Sequence, residues 1–155
     1  MKSSPNIWLS LSEADVEKHF GSSDFFVAHI DGQRTTTLRQ FYEEIADILE
    51  FPVPEFNLDA LNDSLNDLQW LEDEKIVLYI TNTESFISKE RDPVKLSSVL
   101  QVFDATAEDW KWMEADEMME KKEFYIVLEE STRIRKLLDK EGIGFGNLYN
   151  ETTNK

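Results

Sequence analysis

Three short, nearly continuous apolar runs recur along the chain, and polar-faced stretches separate them. The runs are Phe25–Ile30, Lys75–Ile80 and Glu123–Leu128. Apolar runs of this length, without alternating polar positions, are typical of strands that are buried on both faces of a sheet. The stretches between them are long enough for the helical crossovers that join parallel strands. The pattern therefore predicts an α/β fold in which helices pack around a three-stranded parallel sheet.

The stretches between the apolar runs carry apolar residues at helical spacing. A Thr37–Gln40 capping box precedes a helix over residues 38–49. Asn57 caps a helix over residues 58–68, whose leucines recur every three or four positions and are expected to be buried. An Asp92–Pro93 pair begins a further helix, because proline fits the first helical position without losing a hydrogen bond.

The two ends of the chain lie outside this alternation. Residues 1–22 are predicted to form an appendage packed on the main fold, with a short helix that a Ser10–Glu13 capping box begins. Residues 23–130 form the main domain. Residues 131–155 form a helix that stops at Gly142, followed by a loose tail.

The composition is that of a folded protein. The chain has 155 residues, of which 41% are hydrophobic and 12% aromatic, and this content is too high for intrinsic disorder. The absence of cysteine excludes disulfides and thiolate metal sites. No apolar run reaches the length of a signal or membrane-spanning segment, so we expect a soluble cytoplasmic protein.

Negative charge dominates the chain and is unevenly distributed. The 32 acidic residues exceed the 16 basic ones and give a net charge of −16, which disfavours nucleic acid and anionic membranes as partners and favours a basic protein. From Gln40 to Glu74 there are many acids and no lysine or arginine. Within this stretch, the 58–68 helix carries a polar stripe opposite its leucines, made of Asp59, Asn62, Asp63 and Asn66. Taken alone, such a stripe is the solvated face of an amphipathic helix.

No group of residues in the sequence indicates an enzyme. His19 and His29 lie in different predicted elements and lack the spacing of a metal site, and we expect His29 to pack within its strand. The glycine-rich run 142–146 follows a helix rather than a strand, so it is interpreted as a helix stop and flexible turn, not as a phosphate-binding loop. We therefore predict no catalytic residue, no metal and no cofactor.

The start of the 58–68 helix resembles a known family. The stretch Asn57–Leu65 (NLDALNDSL) is similar to the second-helix signature of the barstar family of intracellular ribonuclease inhibitors. Ile30–Gly32, Leu49–Pro52 and Ser98–Phe103 match the same family in the same order. With the strands, the resemblance spans roughly residues 25–129 and implies a barstar-like fold.

The resemblance implies a protein that blocks the active site of a basic ribonuclease with the acidic helix and the loop before it. Asp63 matches the position whose carboxylate enters the enzyme's phosphate site, and Asp59 matches the neighbouring acidic contact. Three features depart from the family pattern: Asn62 replaces an aromatic residue, Ala105 replaces an acidic contact, and the loop Pro54–Phe56 is one residue shorter and lacks the family's Tyr-Gly pair. The expected partner-binding residues are Asp63, Asp59, Asn57, Asn62, Phe56, Asn66 and Glu55.

The alternative is a barstar-fold adaptor that no longer binds a nuclease. Residues 104–122 are predicted to be irregular, and within them the stretch from Trp110 to Met119 would be the adaptor's contact surface. Because Trp8, Trp110 and Trp112 are large and apolar, we expect them to cover the sheet edge or the flanks of helices, and exposure of Trp110 and Trp112 would favour the adaptor.

Overall fold

The computed structural model describes residues 5–114 and 119–150, in which helices connect the strands. The strands are β1 (Ile7–Ser10), β2 (Phe25–Asp31), β3 (Lys75–Thr81), β4 (Glu123–Glu129) and β5 (Phe145–Asn147). The helices are α1 (Glu13–Phe20), α2 (Leu38–Ile48), α3 (Leu58–Leu65), α4 (Val94–Trp112) and α5 (Thr132–Glu141). No helix among the described residues is both long and apolar enough to cross a membrane.

The sheet has the order β2-β3-β4-β1-β5, and all of its pairings are parallel. The predicted α/β class is therefore confirmed, but the predicted count of three strands is wrong, because the described residues form a sheet of five strands. The two additional strands are only four and three residues long. Their partners are distant in sequence, since Ile7 pairs with both Ile126 and Phe145. Short runs with distant partners leave little local pattern to detect.

Side chains alternate between the two faces of the sheet and form two clusters. On one face, α2, α3, α4 and α5 cover residues such as Ile76, Leu78 and Ile80. On the other face, α1 packs against Val77 and Val127. The central strands β3 and β4 are buried on both faces, as their apolar runs predicted. The same prediction for β2 is wrong, because β2 lies at the edge of the sheet, where residues 25–27 are half-buried and His29 is exposed.

The helix caps are close to those predicted, with two corrections. The capping box of α2 at Thr37 and Gln40 is confirmed. The predicted Ser10–Glu13 box is wrong, because Ser10 ends β1 and the box of α1 is formed by Ser12 and Asp15 instead. The Asp92 carboxylate accepts a hydrogen bond from the Val94 amide at 3.0 Å, and α4 starts one residue later than proline spacing predicted.

Three segments differ from their predicted form. The first half of the 104–122 stretch continues α4 to Trp112, because Ala107 and Trp110 lie on its buried face. The helix predicted over 58–68 ends at Leu65, although Leu68 remains fully buried. Gly142 ends α5 as predicted, with φ of 70°. The following glycines do not form a flexible turn but lie at and within β5, where a Cβ on Gly146 would approach the Trp8 ring to 2.5 Å.

Candidate functional site

The acidic helix α3 is fixed at its start by its own cap. The Asn57 side-chain oxygen accepts a hydrogen bond from the Ala60 amide at 2.8 Å, so the predicted cap is confirmed. Leu61 and Leu65 are buried in the core, whereas Leu58 is only half-buried. This burial determines which side of α3 points outward.

The outward side of α3, here called the acidic face, consists of Asp59, Asn62, Asp63 and Asn66. Asp59 and Asp63 are exposed, and neither carboxylate forms an ion pair with a described residue. Asn62 and Asn66 are half-buried, and the Asn66 amide donates to the Asn62 carbonyl at 2.9 Å and to its side-chain oxygen at 3.2 Å. The face therefore presents two carboxylates, one turn apart, beside a pair of joined amides.

The loop before α3 presents an aromatic side chain that is held in place. The Phe56 ring is 40% exposed and stacks on Tyr42 with ring centroids 6.4 Å apart. The Arg39 guanidinium lies 4.6 Å from the Phe56 centroid and also pairs with Glu43 at 3.0 Å. Burial raises the pKa of the Tyr42 phenol, so the stacking partner stays neutral at neutral pH. These contacts order a surface phenylalanine without covering it.

The acids of α2 lie beside this loop. Glu43, Asp47 and Glu50 line an open groove of about 520 Å³ together with Phe56 and Pro54. The acidic stretch of the sequence is thus divided between this groove and α3. An approaching basic protein would meet both parts.

Two buried contacts hold α3 and the chain after it, and neither was predicted from the sequence. The Trp110 indole donates to the Leu65 carbonyl at 2.8 Å, which joins the last turn of α3 to α4. The Lys122 ammonium is buried and donates to the carbonyls of Leu71 at 3.0 Å and Asp73 at 2.6 Å. The position of Trp110, seven residues after the buried Phe103, was a signal of helical burial in the sequence. No local pattern indicates the burial of Lys122.

The other candidate residues are distributed around α3. Glu55 is exposed on the loop, and Asn57 uses its side chain for the cap. Ala105 is exposed on α4, the helix against which α3 packs. The sequence-predicted residues are therefore gathered on one helix and the loop that precedes it.

The alternative contact surface is only partly exposed. Trp110 is buried, whereas Trp112 is 70% exposed and its indole donates to Glu108 at 2.5 Å. The expectation that Trp112 covers part of the fold is therefore wrong, because it points away from the face of α4 that carries Trp110. Met113 and Met119 pack against the core, and Met118 lies outside the described residues.

The described part of the chain shows no built metal centre. Within residues 5–114 and 119–150, no group of three or more acidic, histidine or cysteine side chains is arranged to hold an ion. His29 is exposed rather than packed, stacks on Tyr79 and has its Nε2 2.8 Å from the Thr81 hydroxyl. The chemistry available on α3 is the binding of cations and hydrogen-bond donors by carboxylates.

Two solved structures of the Aeropyrum pernix ORC2 protein have a similar fold. The structure of its ADPNP-ADP complexes has 13% identity and a TM-score of 0.52, over 94% of this chain and 41% of that chain. The structure of its ADP form has 15% identity and a TM-score of 0.52, over 93% and 41%. The chain thus spans about two-fifths of these proteins' length, and at this identity the similarity shows the fold alone. No curated protein matches the chain.

The range matched by the family model includes the elements that carry the acidic face. The family model described as Barstar (barnase inhibitor) matches residues 25–129. The matched part runs from the first residue of β2 to the last residue of β4, so it includes α2, α3 and α4. The match covers more than half of the chain and confirms the resemblance found in the sequence: the protein belongs to the Barstar (barnase inhibitor) family.

Proposed function

We propose that the protein is an inhibitor of a basic ribonuclease and that it binds the enzyme's active site with α3 and the loop before it. The observation that carries the proposal is the pair of exposed carboxylates, Asp59 and Asp63, on a helix held at both ends by hydrogen bonds of Asn57 and Trp110. A preorganised acidic helix loses little conformational entropy when it binds. The family match supports a protein partner of this kind.

Electrostatics favours a basic enzyme as the partner. No lysine or arginine lies between Gln40 and Glu74, and among the described acids of α2 and α3 only Glu43 has an ion-pair partner, Arg39. Complementary charge accelerates the encounter of two proteins, and close charged pairs across an interface add affinity. Both effects are known from the pair of barnase and barstar themselves, so they support the proposal by analogy and are not independent evidence for it.

Each candidate residue has a part in the proposed complex. Asp63 occupies the enzyme's phosphate site among its basic side chains, and Asp59 binds a neighbouring cation. Phe56 and Glu55 contact the rim of the active site. Asn57, besides capping the helix, lies at the junction of loop and helix, and the half-buried Asn62 and Asn66 form the other border of the contact.

The proposed target ribonuclease differs from barnase in the residues that surround its active site. The exposed Ala105 offers no charge where the resemblance implies an acidic contact, and Asn62 offers an amide in place of an aromatic ring. A ribonuclease that fits this surface has a basic active site but fewer cations and a more polar surface at its rim. The protein acts as a binding protein, without catalytic groups or a cofactor, in the cytoplasm of the cell that makes the ribonuclease.

The test is inhibition of a panel of basic bacterial ribonucleases by the purified protein. Asp63→Ala should weaken binding by about 2 to 5 kcal/mol, because it leaves enzyme cations buried without a partner. Asp24→Ala is the matched control, since Asp24 is an exposed acid outside the acidic face. The proposal fails if the wild type inhibits none of the enzymes, or if Asp63→Ala and Asp24→Ala inhibit equally well.

A second candidate function is that of an adaptor, and the exposure of Trp112 favours it. A tryptophan that is 70% exposed at the end of a long helix is a common anchor in protein interfaces. Affinity capture with Trp112→Ala and Asp63→Ala baits separates the two functions. Loss of a partner only from the Trp112→Ala bait supports the adaptor, and loss only from the Asp63→Ala bait supports the inhibitor.

A further inference from the structure

A groove on another part of the molecule has the opposite charge to α3. It has a volume of about 520 Å³ and lies between the loop after β3, the start of α4 and α5. Its walls include the apolar side chains of Ile87, Leu96 and Leu137 and the cationic side chains of Arg91, Lys136 and Lys140. We call this surface the basic groove.

The basic groove has a net positive charge, because its four cations, Arg91, Arg133, Lys136 and Lys140, outnumber its two acids, Glu90 and Asp92. The Glu90 carboxylate accepts a hydrogen bond from the Leu38 amide at 2.7 Å, and the Asp92 carboxylate accepts one from the Val94 amide at 3.0 Å. In contrast, Arg91, Lys136 and Lys140 form no ion pair with any described residue. In a protein with a net charge of −16, such a group of cations stands out.

One wall of the basic groove is held in a strained conformation. Ile87 has φ of 51°, which is rare for a β-branched residue. The half-buried Arg133, which also lines the groove, donates from its guanidinium to the carbonyls of Phe86 at 2.7 Å and Ile87 at 3.3 Å. The Ile87 amide donates to the Thr35 carbonyl at 2.8 Å. The shape of the groove is therefore determined by the fold before any partner binds.

We propose that the basic groove binds an acidic amphipathic helix of a second protein. Lys136 and Lys140 are one helical turn apart on α5, a rise of about 6 Å. Two carboxylates one turn apart on a partner helix have the same spacing, so they would pair with the two ammonium groups. A leucine on the same side of the partner helix would lie against Leu96 and Leu137.

Charge distribution favours a short acidic helix over a polyanion. Nucleic acid or an anionic membrane would extend beyond the groove and meet the acidic remainder of the surface. A short peptide segment ends within the groove, and its repulsion by distant acids is screened over about 8 to 10 Å at physiological salt. A second copy of this chain would offer the acidic face of α3, but Leu61 and Leu65 are buried in the core and Leu58 is half-buried, so α3 has no exposed leucine for the apolar wall.

The basic groove and the acidic face are separate. Leu96 in the groove and Trp110, which contacts α3, are both on α4, and the fourteen-residue separation corresponds to about 21 Å of helix. No residue belongs to both surfaces. The protein would therefore bind an acidic partner and, through α3, a basic one at the same time.

The experiment uses the full chain and a fluorescein-labelled helical peptide of about four turns, with glutamates at i and i+4 and a leucine between them. The matched peptide has glutamine in place of glutamate. We expect saturable binding of the acidic peptide in fluorescence anisotropy at about 0.1 M salt. Lys136→Glu should weaken peptide binding about tenfold, because the attraction between this side chain and a peptide glutamate becomes a repulsion. Lys18→Glu makes the same change of charge on the exposed side of α1 and should change the peptide affinity less than about twofold.

The outcomes separate this proposal from the ribonuclease proposal. Asp63→Ala should leave the peptide affinity unchanged, and peptide-induced NMR shifts should appear at Leu96 and Leu137. Equal binding of the glutamine peptide, or an equal loss in Lys18→Glu, would overturn the basic groove as a site. Sedimentation could also overturn the proposal. If the wild type is a dimer and Lys136→Glu dissociates it, the occupant of the basic groove is a second copy of the chain.

Discussion

The indole of Trp110 donates a hydrogen bond to the backbone carbonyl of Leu65 at 2.8 Å, and both residues are buried. Leu65 is the last residue of α3, where a helical carbonyl has no partner within the helix. The bond therefore satisfies a carbonyl that the helix leaves unpaired and joins the acidic helix to α4. A residue outside the acidic face thus controls where that face lies.

Trp110→Phe is expected to lower the free energy of unfolding by about 1 to 3 kcal/mol, because it leaves the buried Leu65 carbonyl without a donor. Urea unfolding followed by circular dichroism measures the change. Trp112→Phe is the matched control, since that indole is exposed, and it should change stability by less than about 0.5 kcal/mol. Equal effects of the two substitutions would contradict the anchoring role of Trp110.

Asn57→Ala is expected to destabilise the protein by about 0.5 to 2 kcal/mol, because it removes the side-chain cap of α3. Asn57→Asp retains a capping oxygen and should restore most of the stability. Thermal unfolding of both variants checks the prediction. If Asn57→Asp is as unstable as Asn57→Ala, the cap is not what the asparagine supplies.

Leu61→Ala is expected to cost about 2 to 5 kcal/mol, the range for a leucine whose removal leaves a cavity in the core. Leu58→Ala should cost clearly less, because Leu58 is only half-buried. Denaturant unfolding of the two variants provides the comparison. Similar costs at both positions would mean that α3 is rotated relative to this structure.

Association with the ribonuclease is expected to slow as salt rises, because the Debye length falls from about 10 Å at 0.1 M to about 3 Å at 1 M. Glu55→Gln and Asp67→Asn, which remove exposed acids near α3, should slow association modestly. Asp63→Ala should instead accelerate dissociation. Stopped-flow mixing at several salt concentrations measures both rates, and an association rate independent of salt would contradict electrostatic steering by the acidic stretch.

Glu130 is expected to stabilise the fold at neutral pH and to lose this effect in acid. Hydrogen bonding to Arg135, at 2.8 Å for one oxygen, holds the pKa of the Glu130 carboxyl below its ordinary value of 4.5. The stabilisation is therefore present above a pH of 4.5 and is lost as the pH falls through the folded-state pKa.

The comparison is between wild type and Glu130→Gln. We expect the wild type to be more stable by about 1 kcal/mol at neutral pH, a modest value because the pair is partly exposed. The difference should shrink as the pH falls below 4.5, and urea unfolding at each pH measures it. A constant difference over that range would show that the ion pair does not contribute.

The local elements of the matched core could be predicted from the sequence. Each of the strands β2, β3 and β4 is a continuous apolar run, and the Thr37–Gln40 box and the Asn57 cap act within one turn of helix. The acidic stripe of α3 also follows from spacing, because burial of Leu61 and Leu65 turns Asp59 and Asp63 outward. In these cases the information lies in residues a few positions apart.

Contacts between distant residues determined the rest. β1 and β5 are strands because Ile7 lies between Ile126 and Phe145, and neither short run indicates this pairing alone. Trp110 and Trp112 look alike in the sequence, but two positions along a helix correspond to a rotation of about 200°, so one is buried and the other exposed. The basic groove likewise joins Leu96 to Lys136 from separate helices. Such features depend on which surfaces meet when the chain folds, and local spacing carries no information about that.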